Sequence, residues 1–156
     1  MLKLTSILFI LFMSVSWSQT QFQSQIQKLK FMVGEWIGNS KTIKGDTIFS
    51  ETPAYEKIAY KLDGTIITID LASTSLQLHT VIYYSEDDQT FYYNPYYKSG
   101  NAQYPAEFKN GKLTVNASDT KRFIFTTDKN GNFTEYGEQL INGEWKIYFE
   151  DTFVKM

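Results

Sequence analysis

From Gly34 onward the chain alternates apolar and polar side chains with a period near two, and the helical spacing of about 3.6 does not come back. The alternating runs are separated by tight-turn pairs: Gly45-Asp46, Asp63-Gly64, Asn110-Gly111, Asn130-Gly131 and Asn142-Gly143, with Glu86-Asp87-Asp88 and Ser99-Gly100-Asn101 doing the same work. Asn-Gly and Asp-Gly tolerate the positive φ that two-residue hairpins demand, so each pair marks a strand folding back on its neighbour. Connections this short leave no room for a crossover helix, which excludes a parallel sheet. The candidate strands are residues 35–43, 47–51, 54–62, 65–72, 76–84, 90–97, 102–108, 112–116, 121–127, 133–140 and 144–154, rich in Ile, Val, Thr, Phe and Tyr. Pro53 predicts a bulge or sharp bend rather than a boundary, which merges two runs and leaves about ten strands. A closed barrel and a sandwich both accommodate such a series. Sequential hairpins and the removal of exposed edges favour the barrel. The expectation is an all-β, antiparallel up-and-down barrel of about ten strands.

A short helix precedes it. Phe22, Ile26, Leu29 and Val33 line one face over residues 21–33, and Gly34 ends the run. Further upstream, Lys3, the apolar stretch from Ile7 to Val15, and Ser16-Trp17-Ser18 before Gln19 have the order of a secretory signal. The apolar stretch is shorter than the roughly 20 residues of a membrane span. The expected organisation is therefore a signal peptide over 1–18 and one domain over 19–156, secreted or periplasmic, with no membrane anchor after cleavage. The chain has no cysteine, which excludes a disulfide framework, a thiolate metal site, a cysteine nucleophile and a bacterial lipid anchor. A net charge of -2 gives no basic stripe, so a nucleic-acid partner is not expected.

At the junction of helix and first strand the chain reads Leu29-Lys30-Phe31-Met32-Val33-Gly34-Glu35-Trp36-Ile37-Gly38. A short helix followed by Gly-x-Trp resembles the calycin barrels, which include lipocalins, fatty-acid-binding proteins and nitrobindin-like haem barrels. Gly143-Glu144-Trp145 before a C-terminal strand resembles small lipocalin-like secreted bacterial families. The resemblance implies a barrel that binds a hydrophobic or amphipathic small molecule. It also implies that Trp36 seals one barrel end, with an arginine from a late strand stacked on it. Arg122, the one arginine in the sequence, is the candidate, and a solvated strand residue is the other reading. In the nitrobindin-like barrels the haem-ligating histidine comes from near the C-terminus, where this chain has Lys155-Met156; haem is not expected, and no cofactor is assigned.

His79 is the sole histidine, on the strand face carrying Gln77, Val81 and Tyr83; a cofactor ligand and an ordinary cavity-wall or surface histidine are both open. Tyr83, Tyr84, Tyr92, Tyr93, Tyr96, Tyr97 and Tyr104 crowd three neighbouring strands. Adjacent pairs send one ring to each face, so one set points inward and suits a ligand with apolar bulk and a few polar atoms. The plain alternative is that tyrosine favours strands. Trp36, His79, Tyr83, Tyr92, Tyr104 and Arg122 are the expected ligand-binding residues. Among the acids, Glu135 with Glu138 and Glu150 with Asp151 differ in parity, so half of each pair is expected to face solvent. Asp151 falls in the row of Trp145, Ile147, Phe149 and Phe153, where a buried carboxyl is a candidate for a perturbed pKa and a point at which the strand leaves the core is the equal alternative. No nucleophile–base–orienter set is present, which ranks an enzyme below a binding barrel. An interaction or inhibitor module using loops 86–89 and 96–101 is the competing reading.

Overall fold

The computed structural model describes residues 23–156 except Asp46 and Ser75; the expected signal peptide and the start of the expected helix lie outside the described residues. The helix is one α-turn over residues 23–26 that tightens into a 3-10 segment, Gln27–Met32. The strands that follow among the described residues are β1 (Gly34–Lys44), β2 (Thr47–Lys61), β3 (Ile66–Ser73), β4 (Gln77–Ser85), β5 (Thr90–Tyr97), β6 (Gly100–Asn101), β7 (Tyr104–Lys109), β8 (Lys112–Ser118), β9 (Lys121–Thr127), β10 (Phe133–Ile141) and β11 (Glu144–Lys155). Every pairing is antiparallel, and neighbours in the sheet are neighbours in sequence except where β1 meets β11 and β5 passes the short β6 to meet β7. The β1–β11 pairing joins the two ends of the series and closes a ten-stranded barrel; β6 only extends the end of β5. The expected up-and-down barrel is the fold.

Pro53 produces no bulge. It sits within a continuous β2, paired with Asn39, and the irregularity falls instead between Thr42 and Ile43, where Phe49 is the extra residue. A second irregularity lies between Gly137 and Glu138, which pair with Phe149 and Ile147 and leave Tyr148 unpaired between them. Such bulges add a residue to one strand, bend it, and change which face the following side chains occupy.

The helix closes one end of the barrel. Ile26, Leu29 and Met32 are fully buried and share a core with Trp36, Ile58, Ile67, Ile82, Leu113, Phe125, Phe133 and Phe153. Trp36, 4% exposed, donates its indole N–H to the Met32 carbonyl at 2.7 Å and packs on Phe133 with ring centroids 5.4 Å apart. One side chain thus buries a large apolar area and satisfies a carbonyl at the end of the 3-10 segment. Trp36 seals the barrel end as expected. Two glycines hold the wall where space runs out. A methyl group on Gly38 collides with the Thr152 carbonyl oxygen, and one on Gly137 collides with the Phe149 ring.

The obstacle at Gly38 is backbone and cannot swing aside. Gly38→Ala is expected to cost about 3 kcal/mol, the upper part of the range for overpacking. Gly45→Ala, at a turn with φ of +61° and open space around it, is expected to cost about 1 kcal/mol from backbone strain alone. Urea denaturation of the two variants checks the order; equal losses contradict the close β1–β11 approach.

Candidate functional site

The connections at the end opposite the helix join β1 to β2, β3 to β4, β5 to β7, β8 to β9 and β10 to β11, and no helix covers them among the described residues. A cavity of about 190 Å3 lies inside this end, with Ala54, Leu71, Leu78 and Phe149 among its apolar walls and Ser40, Thr42, Glu135 and Asp151 among its polar ones. The acids come from adjacent strands. Glu135 of β10 is the register partner of Asp151 of β11, and Asp151 in turn pairs with Ser40 of β1. Alternation sends all three inward with Phe133 and Phe153. Glu56 lies two residues deeper than Ala54 on β2, in phase with Ala54 and Ile58.

These three are the buried carboxyls of the described residues: Glu56 is 0%, Asp151 4% and Glu135 8% exposed, and no Lys, Arg or His is buried with them. Oδ1 of Asp151 has no hydrogen-bond partner, and the Glu56 carboxyl meets only that of Glu135, to which it hydrogen-bonds when one of the two is protonated. Burial raises all three acids, because the charged form loses its water. Glu56 is pushed up to about 8, first by burial and then by the charge of Asp151. Asp151 is pushed up to about 6, by burial first, with the neighbouring Glu150 charge adding and hydrogen bonds from Ser40 and the Lys41 backbone opposing. Glu135 lies well above its ordinary range through burial and the charges of Glu56 and Asp151. Near neutral pH, Asp151 is mostly ionised while Glu56 is mostly protonated.

Tyrosines ring the acids. Tyr93 is buried and accepts a hydrogen bond from the Thr80 hydroxyl at 3.4 Å, and burial followed by the Glu135 charge holds its phenol well above the usual value. The same causes, in the same order, raise half-buried Tyr148 to about 12, with smaller contributions from Tyr97 and Tyr104. Burial, then Tyr104 and Glu135, raise Tyr97. The bulge at Tyr148 sets its ring and that of Phe149 over Gly137, where the missing side chain leaves room for both. Phe123 bridges them to the tyrosines, 6.1 Å from Phe149 and 6.4 Å from both Tyr93 and Tyr104.

The six expected residues are scattered by this geometry. Tyr104 faces inward at the aromatic wall, and Trp36 faces inward at the helix end, away from the cavity. His79, Tyr83 and Tyr92 stand on the outer wall, because the inward face of β4 carries Thr80, Ile82 and Tyr84 and that of β5 carries Phe91 and Tyr93. His79 Nδ1 lies 2.6 Å from Asp70 Oδ1. The rings of Tyr83 and Tyr92 pack outside at 5.4 Å, with the Tyr92 hydroxyl donating to Asp88 and Gln103 donating to Tyr83. Arg122 does not stack on Trp36. It points out of β9, pairs with Glu138 at 2.6 Å and stacks on Trp145 at 4.1 Å, while Lys155 takes the place over Trp36 at 5.8 Å. Trp145 and Ile147 are exposed rather than in the Asp151 row, since the Tyr148 bulge shifts the alternation between them and Phe149. Loops 86–89 and 96–101 sit at opposite ends of β5 and do not form one surface.

A larger depression, about 790 Å3, crosses the outer wall near Ile37, Tyr55, Ala72 and Val154, but it presents no carboxylate, amine or imidazole. Among the described residues no group of three or more His, Asp or Glu is arranged to hold a metal ion. The chain matches no protein-family model, and no curated protein is significantly similar to it.

The raised acids fix the sign of the pH dependence. Each binds its proton more tightly in the folded than in the unfolded chain, so its contribution is complete below the ordinary range near 4. That contribution is lost as pH rises through about 6 for Asp151 and about 8 for Glu56. Thermal melts are expected to show a lower Tm at pH 8.5 than at pH 5.5. Glu56→Gln, which stays neutral throughout, is expected to flatten that slope; an unchanged slope contradicts the assignment.

Proposed function

We propose that the protein is a secreted or periplasmic barrel that binds a small amphipathic molecule in its open end. The observation that carries this reading is the cavity of about 190 Å3, where apolar walls meet two buried carboxyls, Glu135 and Asp151, and one oxygen of Asp151 has no hydrogen-bond partner in the protein. Binding sites combine apolar surface with a few convergent polar groups in this way, and perturbed carboxyls concentrate at such sites. A protein selected for stability alone gains from replacing these acids by apolar residues of similar volume. The volume favours a compact ligand, since an apolar cavity of about 150 Å3 already holds a benzene ring. The closed barrel and the helix-sealed opposite end suit a carrier or sensor, as the resemblance to calycin barrels implies. Placement outside the cytoplasm rests on Lys3 and the apolar run before Gln19.

Ala54 lines the cavity and its side chain is small. Ala54→Leu is expected to fill part of the space and weaken binding of single-ring probes by about tenfold or more, a loss near 1.4 kcal/mol. Saturation-transfer NMR with a mixture of small aromatic compounds, run on the natural protein and the variant at matched folded fraction, reads this out. Equal binding by both proteins places the ligand elsewhere.

A further inference from the structure

We propose that the ligand carries a positively charged nitrogen, an ammonium on a short aromatic or alkyl body, seated against Asp151 and Glu135 on the cavity floor. The inference rests on the binding reading above and names the chemistry of the molecule that site accepts.

Two observations point the same way. Asp151 is only 4% exposed, lines the cavity beside Glu135 and has an oxygen with no partner. No basic side chain is buried among the described residues, so the protein supplies nothing to neutralise an ionised carboxyl there. The remaining wall is mostly aliphatic, with Ala54, Leu71, Leu76 and Leu78, and Phe149 is the one ring in it.

The chemistry of the missing partner follows from what each candidate group offers. An ammonium presents three N–H donors and no acceptor, which matches a carboxyl oxygen that lacks a donor. An alcohol presents one donor and leaves the charge of Asp151 unanswered. A carboxylate or phosphate adds negative charge to a site that already holds Glu135 and Asp151, and like charges raise one another's cost of ionisation. Aromatic faces attract cations as well, most strongly where water is excluded. A hydrogen bond to a charged group contributes about 1.5–3 kcal/mol, which is roughly a tenfold gain in affinity or more over the neutral analogue.

The test uses three probes that share one phenylethyl body, 2-phenylethylammonium, 2-phenylethanol and 3-phenylpropionate, each titrated into the full-length mature protein at pH 7.5 by calorimetry or ligand-observed NMR. The expected order is ammonium tightest, the alcohol at least about tenfold weaker, and the carboxylate weakest. Asp151→Asn, close in shape, is expected to abolish the preference, so that the ammonium binds no more than about twofold tighter than the alcohol, a difference of about 0.4 kcal/mol. A thermal melt confirms that the variant is folded; if it is not, the order of the three probes on the natural protein decides alone. Binding of the alcohol or the carboxylate as tight as that of the ammonium overturns the cationic ligand and leaves the cavity reading standing. If no probe binds, the cavity reading fails and takes this inference with it.

Discussion

Closing ten strands into a ring makes every inward side chain a member of one small shared interior, and everything else in this molecule answers to that constraint. Strand alternation decides which residues enter, and the diameter decides how many large ones fit. At the helix end the space is filled by Trp36, Met32, Leu29 and stacked phenylalanines. At the other end the same alternation delivers Glu56, Glu135 and Asp151 into a region with no buried cation among the described residues. The barrel is therefore divided lengthwise into an apolar plug and an acidic, aromatic mouth.

The division has an energetic cost. Each tenfold change in a group's proton affinity between unfolded and folded chain corresponds to about 1.4 kcal/mol, so forcing buried Glu56 to ionise costs on the order of a few kcal/mol. A domain's whole stability is only about 5–15 kcal/mol. The fold tolerates the acids because it keeps the deepest one protonated near neutral pH and because the helix end supplies a compact core. Glycine at positions 38 and 137 allows the close strand approach and the ring placement that shape the two regions. A bulge at Tyr148 swings a phenol toward the acids and simultaneously exposes Trp145, which then meets Arg122 outside.

The barrel was legible because its signals are local. Turn pairs such as Asn110-Gly111 and Asn142-Gly143 each fall between paired strands and take positive φ at both residues. Asp151 was legible for the same reason: its row, with Phe149 and Phe153, has a period of two. Glu56 carries an equal signal, lying in phase with Ala54 and Ile58, and alternation there is enough to find it. What alternation alone does not give is which face is inner when both carry large rings. Tyr83 and Tyr84, or Tyr92 and Tyr93, are identical in type, and only the rings packed against them, Phe91 on Tyr84 and Phe125 on Tyr93, distinguish the inner member of each pair. Bulges defeat it too, since one unpaired residue at Tyr148 separates Trp145 and Ile147 from the row that simple parity assigns them to. The partner of Arg122 depends on a contact across that irregular hairpin, so local spacing gives no indication of Trp145 over Trp36.

Carboxyls that remain protonated inside the barrel when ordinary acids have ionised are central to both the fold's compromise and the proposed site. Carboxyl-selective 13C NMR, following the side-chain carbons of Glu56 and Asp151 from pH 3 to pH 9, measures this directly, with Glu56→Gln and Asp151→Asn supplying the assignments. Asp151 is expected to titrate near 6 and Glu56 near 8, the latter far above the ordinary glutamate range. Both groups titrating near 4, with the barrel intact throughout, contradict a protonated acidic interior.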